Sequence, residues 1–152
     1  MDNQKVVSDY TSDFLSRLGF GSEVVCEVSF DPTQDNYLIS LKTADPSLLI
    51  GFHGETLTAI RFALASHLAR LFSAWPHVTV NVNDYNERRE RSLYDLADST
   101  VKQVLDEQRA YALPPLSPSD RRAIHVYLAN HDQITTYSEG EGRTRTLIIA
   151  PK

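Results

Sequence analysis

"SLLIGFHGETLTAI", residues 47–60, is the stretch on which the fold turns. An apolar run is broken by Gly51 and Gly54, which enclose Phe52 and His53, and a helical pattern begins directly afterwards. A glycine inside a packed segment costs about 0.5–1 kcal/mol relative to alanine, so two of them this close call for a reason beyond filling space. The pattern offers one. Without Cβ atoms the chain takes positive φ and lets another backbone approach, while the amides that open the following helix favour a phosphate. On its own G-x-x-G is a weak signal, since any tight helix–helix turn produces it.

The flanks give the loop a context. Downstream, Leu57, Ile60, Leu64, Leu68 and Leu71 recur at helical spacing and predict a helix from about Glu55 to Phe72; upstream, "PSLLI" is long enough for about one turn. "HVTVNVN" then alternates, with Val78, Val80 and Val82 on one side, and reads as a strand half covered by helices. Before the loop, Val6, Tyr10, Phe14 and Leu18 mark a first helix that stops at Gly19 and Gly21. "EVVCEVSF" and "YLISLK", separated by the turn-rich "DPTQDN", predict a β-hairpin. The order α-β-β-α-α-β fills residues 1–83, an α+β domain with a three-stranded sheet packed on helices.

Residues 84–152 read as a second, small α/β domain entered through a long helix. Asp84 is the expected N-cap, and Leu93, Ala97, Val101, Val104 and Leu105 form the buried stripe of a helix reaching about Arg109. Glu87 with Arg91, Arg91 with Asp95 and Asp98 with Lys102 lie four apart and are expected to pair along its solvated face. "ALPPLSPSD" breaks this helix, Ser117-Pro118 starts another through about Ala129, and "ITTYSEGEGRTRTLIIA" reads as two strands around a glycine-rich turn.

The chain has 152 residues and a net charge of −5, which argues against indiscriminate binding to a polyanion. The positive charge is grouped, however, as Arg88, Arg89 and Arg91, then Arg121 and Arg122, then Arg143 and Arg145. In "DRRAIH", Arg121 and His125 share a helical face; arginine offers a planar donor fork for phosphate and histidine a donor or a stacking ring. With Ile124 and Leu128 close by, a half-buried structural histidine is the alternative. A lone Cys26, no secretion-signal pattern at the N-terminus and no apolar run near the roughly 20 residues of a membrane span point to a cytoplasmic protein. Five histidines at 53, 67, 77, 125 and 131 show no metal-ligand spacing, and no cofactor motif or nucleophile–base pairing stands out, so an enzyme is not expected.

"LIGFHGETLTAI" within this element order resembles the type II (prokaryotic) KH domain, whose IGxxG loop grips about four nucleotides of a single strand. Ile50, Gly51 and Gly54 match that motif; Phe52 and His53 replace the Lys or Arg that many relatives carry, removing a fixed charge from the clamp. The resemblance makes Ile50 and Ile60 candidates for the floor of a base-binding groove. "YNERRERSLYDLADSTVKQVL", "LPPLSPSDRRAIHVYLAN" and "ITTYSEGEGRTRTLII", in that order, resemble the R-x-x-x-H domain, and a KH domain followed by an R-x-x-x-H domain is the layout of the bacterial Jag (SpoIIIJ-associated) family. This implies single-stranded RNA as partner, with DNA left open, and contacts from Arg121 and His125, with Arg122, Arg143 and Arg145 added by charge and position. It also implies a separate small KH protein as a partner. A protein-interaction module, suited to an uncharged clamp, is the rival reading.

Overall fold

The computed structural model describes residues 3–21 and 23–152, with Arg143 described in its backbone only. Packing divides the chain into Met1–Asn86 and Glu87–Lys152.

The first unit runs α1 (Asn3–Leu15, extended by a wider turn over Ser16–Phe20), β1 (Val24–Asp31), β2 (Asn36–Thr43), α2 (Ser47–Ile50), α3 (Glu55–Phe72) and β3 (His77–Val82), the element order expected. β1 and β2 are antiparallel, and β3 lies parallel to β2 on the other side, from Asn36 opposite His77 to Leu41 opposite Val82. The period of two in β2 and β3 sends Tyr37, Ile39, Leu41, Val78, Val80 and Val82 into a core closed by Val7 and Leu15 of α1, Leu49 of α2, and Leu57, Ile60, Leu64 and Leu68 of α3. Leu71 departs from the expected stripe and is 53% exposed. The stretch Ser47–Phe72 is long and apolar enough by length and composition to cross a membrane. Gly51–Gly54 interrupts it, however, and Leu49, Leu57, Leu64 and Leu68 lie in the core.

The second sheet has the order β4-β6-β5 and is antiparallel throughout; β4 is Tyr111–Ala112, β5 Ile134–Glu139 and β6 Thr146–Pro151. β4 is not foreseen from the sequence, since two residues carry no periodicity; it exists because Tyr111 and Ala112 pair with Ile149 and Ile148, and Leu113 N–H continues onto the Leu147 carbonyl. α4 (Tyr85–Glu107) and α5 (Pro118–Tyr127) supply Leu93, Ala97, Val101, Val104 and Ile124 to a core shared with Leu113, Leu128, Ile134, Leu147 and Ile149. Ser117 caps α5 as expected, its Oγ accepting from Asp120 N–H at 3.1 Å, with Pro118 at the first helical position. Asp84 does not sit in the extended backbone usual for an N-cap; it and Asn83 have φ of 59° and 47°. The expected charge pairs along α4 also give way. Neither Arg91 nor Lys102 has an ion-pair partner among the described residues, and Asp98 accepts from the Tyr127 hydroxyl instead.

Candidate nucleic-acid interface

The loop between α2 and α3 is built by its own neighbours. Asp45 accepts the Ser47 amide at 3.1 Å together with the Ser47 hydroxyl, starting α2, and Gly51 N–H closes that turn on the Ser47 carbonyl at 2.8 Å. These bonds hold the Asp45 carboxyl below the usual carboxylate range, the Ser47 hydroxyl being the larger cause. A depressed folded value means that the stabilisation is present above the unfolded value and is lost as pH falls through the folded one. Protection of the Ser47 and Gly51 amides from hydrogen exchange is therefore expected to weaken below about pH 4, and Asp45→Asn to flatten that dependence.

Gly51 lies at φ 70°, ψ −172°, a conformation open to glycine alone, and Gly54 at φ 82°, ψ 13°. A Cβ on Gly51 would stand 2.1 Å from Thr56 Oγ1, and one on Gly54 would stand 2.9 Å from the Tyr85 hydroxyl oxygen. Gly51, expected to make room for an approaching phosphate backbone, is thus already required by the chain's own Thr56, and Gly54 is favoured by its left-handed backbone. Between them, Phe52 is 76% exposed and His53, at φ 49°, is exposed too, their rings edge-on with centroids 4.1 Å apart. The amides of Phe52 and His53 have no hydrogen-bond partner among the described residues, as the opening N–H groups of a helical segment commonly lack one. Ile50 is half-buried against the core. Ile60 is 4% exposed and sits within it, so it is a core residue and not a groove floor.

In the second unit α5 lies against the β5–β6 hairpin and aligns the other candidates. Arg121 directs Nη1 to the Leu116 carbonyl at 2.6 Å and to the Arg145 carbonyl at 3.1 Å. One nitrogen thus ties the helix to the loop before it and to the edge of β6, leaving Nε and Nη2 as donors. One turn on, His125 is exposed, not half-buried, and its Nδ1 meets Thr136 Oγ1 at 2.6 Å, which leaves the Nε2 edge outward. Both side chains are held at one end and open at the other. Arg121 is half-buried, and Arg122 and Arg145 are exposed; the Arg143 side chain lies outside the described residues.

Beneath this face runs an ion pair that spacing could not reveal. Arg89 Nη2 of α4 donates to Asp120 Oδ2 at 2.8 Å, with the side chains only 22% and 12% exposed. Elsewhere, Cys26 is half-buried, and burial pushes its thiol above the ordinary range, opposite to the shift of an activated nucleophile. Among the described residues no three His, Cys, Asp or Glu side chains converge.

A helix carrying Arg and His four apart, packed on a small antiparallel sheet, defines the class of the second unit: residues 91–151 match the R-x-x-x-H domain family. The chain is similar to proteins called RNA-binding protein KhpB. It is 32% identical to that of Streptococcus pneumoniae D39 over 127 residues, 84% of this chain and 39% of that protein. It is 39% identical to that of Bacillus subtilis 168 over 109 residues, 70% of this chain and 52% of that protein. Against that of Clostridium symbiosum it is 28% identical over 151 residues, 98% of this chain and 68% of that protein. The chain spans 39% of the S. pneumoniae protein and 44% of the one from Lactiplantibacillus plantarum.

Proposed function

We propose that this chain is a non-enzymatic, cytoplasmic protein that binds single-stranded RNA and serves post-transcriptional regulation. The observation that carries the reading is the Arg121–His125 face, where two phosphate- or base-contacting groups stand side by side, each anchored at one end and open at the other. For the first unit, the α-β-β-α-α-β order, the parallel β2–β3 pair and the G-x-x-G turn between α2 and α3 support a type II KH domain. Its clamp, at Ile50, Gly51, Phe52, His53 and Gly54, offers the free amides of Phe52 and His53 to phosphate and the Phe52 ring to a base. Two contacts in one chain raise affinity through effective concentration. Arg122, Arg143 and Arg145 add charge around the second.

The test is binding of matched RNA and DNA 12-mers by fluorescence anisotropy at low and moderate salt. Phosphate contacts give a steep loss of affinity with salt, and a preference for RNA identifies the 2′-hydroxyl as part of the contact. Replacing both Phe52 and His53 by Asp is expected to weaken binding about tenfold, the scale of one lost stacking contact. The melting temperature should hold, because aspartate tolerates the left-handed backbone at position 53. Undiminished binding in that variant would remove the loop from the mechanism. A protein adaptor is the second reading, favoured by the exposure of Phe52 and of Leu48 four residues before it, with a small KH protein as the partner. Salt-insensitive capture of such a protein together with no RNA binding would select it.

A further inference from the structure

Asp120 is the residue before Arg121, in the first turn of α5. An acid there favours the helix through its dipole, and the Ser117 cap on the Asp120 amide adds to the same end. For a face that is to bind phosphate, though, a carboxylate one residue from Arg121 is unfavourable, the more so because at 12% side-chain exposure water screens it poorly. Arg89, 31 residues earlier in the chain, donates to that carboxylate at 2.8 Å from α4. The arrangement is a poor one for stability alone: Arg89 Nε is buried without a hydrogen-bond partner, and partly buried ion pairs are commonly replaceable by apolar ones at no loss. By contrast, the pairs Arg17–Asp13, Lys42–Glu27 and Arg109–Glu107 all lie on the surface.

We infer that Arg89 is a positioning residue of the nucleic-acid face: it is the internal counter-ion that cancels Asp120, so that α5 keeps a helix-stabilising acid in its first turn while Arg121 and His125 meet phosphate without repulsion. The inference rests on the proposed reading of that face.

A charge-cancelling role and a merely structural one separate in a cycle of Arg89→Met, Asp120→Asn and the double variant. Each is made in the full chain and measured for melting temperature and for affinity to a single-stranded RNA 12-mer at low salt. Arg89→Met leaves an uncompensated carboxylate and is expected to weaken binding about tenfold, whereas Asp120→Asn, which removes the charge, should stay within about threefold of the parent. The double variant should recover most of what Arg89→Met lost, and raising the salt should narrow the gap between Arg89→Met and the parent. A double variant binding no better than Arg89→Met, with losses that follow the melting temperatures, overturns the inference. Arg121→Ala serves as reference. If it leaves binding unchanged, the reading of the face fails; if it weakens binding while the double variant shows no recovery, only the role of Arg89 fails. Should Arg89→Met not fold, Asp120→Asn and the double variant still decide, since charge cancellation requires both to bind close to the parent.

Discussion

Gly51→Ala is expected to be the most damaging of the glycine-to-alanine substitutions, lowering the stability of the first unit by about 3 kcal/mol or more. Two terms add. Holding alanine at φ 70°, ψ −172° costs about 1–3 kcal/mol of backbone strain. Forcing a methyl group to 2.1 Å from Thr56 Oγ1 and 2.7 Å from Thr56 Cβ adds an overpacking cost of about 1–3 kcal/mol. Domains of this size hold about 5–15 kcal/mol in total, so the loss is a large share. Gly54→Ala should cost less: its left-handed backbone accounts for about 1–2 kcal/mol, and the nearest obstacle is the end of the Tyr85 side chain, which can move. Gly142→Ala, with φ 54° and nothing within 4 Å of the added atom, should register only the strain of its backbone. Urea midpoints give the ranking, with thermal melts as a second measure. A Gly51→Ala protein as stable as its parent would mean that Thr56 and the turn rearrange without cost.

Arg121→Ala should weaken single-strand binding about 10- to 150-fold, the loss of one charged hydrogen-bonding contact, and reduce the slope of log affinity against log salt by about 0.7. Arg121→Lys separates the two things the residue does. The charge survives, so the salt slope should return. The affinity should return only in part, because an ammonium group that bonds the Leu116 and Arg145 carbonyls has no remaining planar edge for phosphate. Equal affinity in the lysine variant would show that position 121 acts as a point charge. An unchanged salt slope in Arg121→Ala would place the phosphate contact elsewhere.

Much of the architecture is legible in the sequence because it is periodic. The valines of β3 alternate, the leucines of α3 recur at helical spacing, and Ser117-Pro118 announces α5 by local chemistry alone. What could not be read is set by partners distant in the chain. β4 is defined by its pairing with β6, and the contact of Arg89 with Asp120 spans 31 positions without a spacing rule to reveal it. Of the pairs expected along α4, Asp98 with Lys102 gives way for the same reason, since Asp98 finds Tyr127 from another helix. At the candidate site, the residue types of G-x-x-G and of Arg121 and His125 are visible, but their geometry is not. Nothing in "GFHGET" says that Thr56 forbids a side chain at position 51, and nothing in "DRRAIH" says that Arg121 is tied to two carbonyls.

The parallel pairing of β2 with β3 has a consequence for the order in which the protein is made. β1 and β2 meet through a short turn and can pair as soon as both have left the ribosome, whereas β3 must wait until α2, the glycine turn and α3 have been synthesised in between. Asn83 then ties the end of β3 to Thr43 through two side-chain bonds, and Tyr85 comes to rest behind Gly54. A nascent chain that ends at Ser73 therefore holds every residue of the turn but lacks β3, Asn83 and Tyr85. The turn between α2 and α3 is thus a late product of translation, finished only when the first unit is.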